Sequence, residues 1–184
     1  VFSGSHRHLM LSIFSDQNKP FYRSCELMDV LPISMEHYHP FIARWMKKAG
    51  VAIDKATTQQ IYDWANGQTY YVQLVCNKLY GLQLPITTSL LRKVFSDCVQ
   101  QDAPYFQSIH ELLTLRQKQL IQSIAREKLV GSPTGQQFLK KHNLSSPSSV
   151  RRTLSSLEDK HLVIKDTNGY RLQDTLLAHW YCSF

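Results

Sequence analysis

Glycine is scarce in this 184-residue chain: there are seven, and no two lie close together in a phosphate-cradling cluster. A phosphate loop needs the run G-x-x-x-x-G-K-[ST], and its absence means that the chain carries no P-loop of its own. Cysteine is equally sparse. Cys25, Cys76, Cys98 and Cys182 are scattered with no C-x-x-C pair, which argues against a zinc knuckle, a thioredoxin motif or a disulfide framework. No apolar run approaches the roughly 18–20 residues of a membrane span, and no signal-peptide pattern is present, so the expected location is the cytoplasm, with no membrane partner. Acidic residues are also few, 14 against 21 basic ones, leaving a net charge of +7. An excess of that size suits a polyanionic partner. No internal repeat or low-complexity segment appears.

Hydrophobic residues make up 43% of the chain, enough to bury a real core and to exclude wholesale disorder. Val1-Phe2-Ser3-Gly4-Ser5 reads as the end of a buried strand entering a turn, so the chain is expected to be part of a larger protein. Leu9, Met10, Ile13 and Phe14 suit a short amphipathic helix, and Glu26–Leu31 suits a strand closed by Pro32. Four helical patterns follow. Ser34 is placed to cap a helix from Met35 to about Ala49, and Asp54 one that buries Ile61, Trp64 and Ala65 and stops at Gly67. A third helix runs from about Tyr70 to Tyr80, and a fourth starts at Thr87 with Leu90, Leu91, Val94 and Val99 inward.

After Pro104 the pattern changes. Thr114 caps a helix to about Lys128, a short helix spans Thr134 to His142, and Ser146-Pro147 opens a third. Asn168-Gly169 between two alternating runs then signals a hairpin. Three helices and a hairpin in that order describe a winged helix, whose third helix can enter a DNA major groove. The DNA-facing candidates are Ser148, Ser149, Arg151 and Arg152 on that helix, and Lys165, Asn168 and Arg171 on the wing. Residues 108–184 hold 11 basic and 6 acidic side chains, so +5 of the +7 lies there. A winged helix that only packs against proteins is the alternative.

No metal site is expected. His6-x-His8 and His37-x-His39 are i, i+2 pairs, which point to different sides of a helix. In the aromatic cluster Trp64, Tyr70, Tyr71 and Tyr80 around Gly67, Trp64 and Tyr71 read as core packing, although a glycine between helices also lets a ligand approach the backbone.

In combination these stretches resemble the C-terminal part of a AAA+/STAND-type P-loop ATPase related to the origin-recognition initiators. Val1–Ser5 resembles the sensor-1 strand, and Pro20-Phe21-Tyr22-Arg23 with Leu31-Pro32-Ile33-Ser34 the passage from core to lid. Asn66–Leu74 is similar to a lid segment, and Tyr170–Trp180 to the end of the winged helix. The resemblance implies a mainly α chain: a remnant of an α/β ATPase core (1–33), a helical lid (34–107) and a C-terminal winged helix (108–184). It makes Ser5, with Ser3 the alternative, a sensor-1 residue. Arg23 becomes either an arginine finger toward a neighbouring subunit of a homo-oligomer or a structural arginine. Gly67 and Thr69 fall beside the adenine, Thr69 standing where the family has proline. ATP and Mg²⁺ would be bound by the intact parent through a Walker A motif and an acidic strand in a missing N-terminal ATPase core. The fragment alone is then expected to bind no cofactor and to hydrolyse no ATP, with the lid and winged helix as its nucleotide-coupled output, on double-stranded DNA or on a partner protein. Independent transcription regulation is a third reading, against which the orphan strand at Val1 stands.

Overall fold

A computed structural model describes residues 13–26, 28 and 30–183. It divides into two units, residues 1–32 and Ile33–Phe184. In the first, the described residues form turns, with Phe14 buried against Phe21 at 6.2 Å between ring centroids. Of the expected strand over Glu26–Leu31, Leu27 and Asp29 lie outside the described residues. Its described residues have no regular structure, and Met28 and Val30 are 85% and 93% exposed. A strand is stable only with a partner to complete its hydrogen bonds, and among the described residues nothing pairs with this one.

The second unit opens with four helices: α1 Met35–Lys48, α2 Lys55–Trp64, α3 Thr69–Leu82 and α4 Thr88–Gln101. Helix α1 buries Tyr38, Ile42 and Met46, whereas Phe41 and Trp45, which its spacing also assigns to the inward face, stay open; α3 buries Val72, Val75 and Leu79, and α4 Leu91, Val94 and Cys98. Asp54 and Thr87 cap as expected, accepting from Thr57 N at 2.7 Å and Leu90 N at 3.1 Å. Such caps are each worth about 1 kcal/mol. Ser34 does not cap with its side chain; its hydroxyl lies 2.8 Å from His37 Nδ1 instead.

Helix α5, Ala103–Glu111, is absent from the sequence reading, which took Pro104 as a break. Proline is favoured in a first helical turn, where its missing N–H is not needed, and Pro104 starts α5, which buries Phe106. The winged helix then follows in the expected order: α6 Leu115–Glu127, α7 Gln136–Lys141, α8 Pro147–Asp159, β1 Val163–Asp166 and β2 Gly169–Leu172. Thr114 and Gln117 form a reciprocal capping box on α6, and Ser146 caps α8. A last helix that the sequence reading did not separate, α9 Thr175–Tyr181, is capped by Asp174.

The hairpin pairs Val163 with Leu172 and Asp166 with Gly169, so Thr167 and Asn168 make a two-residue turn. Val130 adds a third rung, exchanging two backbone bonds of 2.9 Å with Tyr170. That approach explains Gly169, whose φ is +147° and where a Cβ would sit 2.5 Å from the Val130 carbonyl oxygen. Gly169→Ala therefore strains the backbone and pushes Val130 off the wing. We expect a loss of about 2 kcal/mol or more in urea unfolding; a variant as stable as the wild type would contradict this packing.

Candidate nucleic-acid interface

The N-terminal half of α8 and the wing carry the surface that the sequence marks for DNA. Ser148, Arg151 and Arg152 are exposed on α8, and neither arginine has an ion pair among the described residues. Ser149 is different: it is buried, and its hydroxyl accepts a bond from Arg116 Nη1 at 3.4 Å. It braces the first turn of α8 against α6 and presents no hydroxyl outward. Arg116, 33 residues earlier, thereby joins this end of α8, and no local spacing could have announced it.

On the wing, Lys165 and Asn168 are exposed, the Lys165 ammonium lying 5.6 Å from the centre of the Tyr170 ring. Arg171 is half-buried and its charge is matched, with Nε 3.1 Å from Asp166 Oδ2. Asp166 also accepts from the Asn168 and Gly169 amides at 2.9 and 3.2 Å. Despite its partial burial, these amides and the Arg171 guanidinium hold its carboxyl below the usual aspartate range. One carboxylate thus shapes the turn and takes up one of the wing's cations. Behind the helix, Lys140 is exposed, whereas Lys141 pairs with Glu127 at 2.6 Å.

Residues 104–183 match the family model described as "Probable winged helix domain". That stretch is a winged helix. No curated protein matches the chain. Among solved structures, the fold is similar to a Walker-type ATPase of Pyrococcus abyssi, with a TM-score of 0.60 and 13% identity. The likeness covers 95% of this chain and 49% of that one, so the chain spans about half the length of the ATPase it matches. At that identity the likeness is one of fold.

The winged helix is not a loose appendage on the four-helix bundle. Helix α9 joins them. The Trp64 ring, at the end of α2, is stacked between Phe95 of α4 at 4.6 Å and His179 of α9 at 4.7 Å, with interplanar angles of 3° and 5°. His179 Nε2 donates back to the Trp64 carbonyl at 2.8 Å. Tyr71 of α3 donates its hydroxyl to Asp174 Oδ1 at 2.9 Å, the same oxygen that caps α9. Burial and the adjacent Asp174 carboxylate push the Tyr71 phenol far up, so it stays a donor. His110 of α5 adds a contact, Nδ1 lying 3.1 Å from the Tyr181 hydroxyl.

The remaining sites expected from the sequence fall as follows. Ser3 and Ser5 lie outside the described residues. Arg23 has φ +54° and is exposed, with its guanidinium 5.4 Å from the Tyr22 ring centre. Gly67 has φ +68° and ends the α2 turn, and the space of its missing Cβ is taken by Tyr62, whose hydroxyl oxygen would be 2.9 Å away. The Thr69 carbonyl accepts from Tyr38 at 3.4 Å. Tyr62 therefore packs against the open side of Gly67. Among the described residues no three His, Cys, Asp or Glu side chains are grouped to hold a metal. Burial pushes the thiols of Cys76 and Cys98 up to about 12 and about 11, so neither is a thiolate at neutral pH. No described helix is long and apolar enough to cross a membrane.

The α9 joint is expected to weaken in acid. Burial holds His179 below the ordinary histidine range, and the Lys128 charge adds to this against the opposing bond to Trp64. Burial and Lys118 act likewise on His110. Both imidazoles bind protons more readily in the unfolded chain, so their contribution is complete above the unfolded value of about 6.5 and is lost as the pH falls below it. The urea midpoint should be lower at pH 5.5 than at 7.5, and His179→Asn should reduce that difference. A midpoint that rises on acidification would contradict this reading.

Proposed function

We propose that the chain is the output arm of a Walker-type ATPase, in which the helical bundle and the winged helix move together and α8 with the wing engages duplex DNA. The observation that carries the DNA reading is the pair Arg151 and Arg152, exposed on the first half of the third helix and without acidic partners among the described residues. In modules of this shape that segment meets the major groove, where arginine bonds guanine or phosphate. Lys165 and Asn168 at the wing, with Arg116 beside the α8 N-terminus, supply further phosphate contacts. The fold likeness to half of a Walker-type ATPase supports the parentage. In this reading ATP and Mg²⁺ are bound by the other half, and the finer relationship to AAA+/STAND initiators, the cytoplasmic location and the finger role of Arg23 in a homo-oligomer belong to the same proposal. No step of nucleotide chemistry is assigned to the present residues.

A protein partner for the winged helix is the second reading. It is favoured by Leu112 and Leu115, 81% and 84% exposed at the α5–α6 junction, in the turn that also carries Arg116. Such side chains gain nothing from phosphate and much from an apolar partner surface.

Fluorescence anisotropy with labelled duplex DNA at two salt concentrations separates the two. Binding should weaken steeply with salt, and Arg151→Ala/Arg152→Ala should flatten the slope of log K against log salt by about 2. An unchanged isotherm in the double variant would sink the assignment of α8, and an absence of binding at low salt would favour the protein reading.

A further inference from the structure

A groove of about 430 Å³ runs between α1 and α3. Its floor is aliphatic and buried, made by Ile42, Met46 and Val72. Its rim is aromatic and open: Phe41, Trp45 and Tyr80 are 54%, 42% and 40% exposed, and the Phe41 and Trp45 rings meet edge to face at 6.3 Å. None of these residues belongs to the winged-helix surface. The lining runs from Tyr38 to Met46 on one wall and from Val72 to Tyr80 on the other, a helical rise of about 12 Å on each. That length matches an i, i+4, i+7 stripe on an incoming helix, which spans about 10.5 Å.

The charges on the two helices that wall the groove are predominantly basic. Helix α3 contains no acidic residue, and α1 carries Arg44, Lys47 and Lys48 against Glu36 alone. Arg44 and Lys48 follow Phe41 and Trp45 by three positions each, so they flank the rim rather than the floor. The Lys48 ammonium lies 3.8 Å above the centre of the Trp45 ring, holding a cation at the end of the groove. The same groove of a second copy would bring the same basic flank, so pairing groove to groove would set like charges against each other. A recessed aliphatic floor suits a row of leucine-like side chains better than stacked bases.

We propose that this groove docks an acidic amphipathic helix of a partner protein, its apolar stripe on Ile42, Met46 and Val72 and its carboxylates against Arg44 and Lys48. The proposal is independent of DNA binding by α8.

The test uses the whole chain and a fluorescein-labelled stapled helix of about 15 residues, with leucines at i, i+4 and i+7 flanked by glutamates. A matched peptide with lysines in place of the glutamates is the control. The acidic peptide should bind at least about tenfold more tightly than the basic one. Phe41→Ala should weaken it by about tenfold. Arg44→Glu/Lys48→Glu, a surface change that leaves the core intact, should weaken the acidic peptide and strengthen the basic one. Equal binding of both peptides, indifference to the charge reversal, displacement by oligo(dT), or closure of the groove by dimerisation would each overturn the proposal. Duplex binding by the two variants should match that of the wild type, so a failed peptide experiment and a failed DNA reading remain distinguishable.

Discussion

The stacking of Trp64 between Phe95 and His179 is the constraint on which the arrangement of the second unit depends. Three elements distant in sequence, α2, α4 and α9, meet at one indole, and the His179 bond to the Trp64 carbonyl fixes the rotation of α9 as well as its position. Each aromatic pair is worth about 0.5–1.5 kcal/mol beyond its buried area, and a hydrogen bond about 1 kcal/mol. With Tyr71 on Asp174, the joint amounts to a few kcal/mol, a large share of the 5–15 kcal/mol that stabilises a typical domain. This explains why Ile33–Phe184 forms one compact unit although its sequence reads as a helical bundle followed by a winged helix.

Helix α9 lies at the C-terminal edge of the winged helix and also packs on α4, α5 and α6. The bundle and the winged helix are therefore joined through packed rings and buried hydrogen bonds. In the proposed arm, that joint is what would let a nucleotide-dependent movement reach α8. The winged helix in turn manages its cations locally: Asp166 takes up Arg171 while ordering the wing turn, and Glu127 takes up Lys141. Arg151, Arg152 and Lys165 are left facing solvent.

Legibility in the sequence followed the range of the interactions. Helices with strong local signals, such as the Thr114 capping box and Ser146-Pro147, stand where spacing and caps place them. The hairpin forms too, with its turn one residue earlier than the Asn-Gly signal marks, at Thr167-Asn168, and with Gly169 opening β2. At Glu26–Leu31 the apolar residues and the closing Pro32 suit a strand but say nothing of a partner to pair with it. Pro104 misled because proline both breaks helices and begins them, and α9 escaped although Asp174 before an apolar run is a cap signal. In the candidate site, Arg151 and Arg152 were legible from the helical period. Ser149 was not, since the α8 face that packs inward takes it in, and its partner Arg116 lies 33 residues away in the chain. The Trp64 joint was the least legible, because Phe95 and His179 are 84 residues apart in the chain and adjacent only in the fold.

Native-state hydrogen exchange on the whole chain, wild type against Trp64→Ala, tests the single-body account most directly. If the joint couples the two parts, the core amides of α3 and α4 and those of α6 and α8 should exchange with one shared opening free energy in the wild type. The variant should lower both sets together by a few kcal/mol. Protection that falls in the bundle while α6 and α8 keep theirs would contradict it.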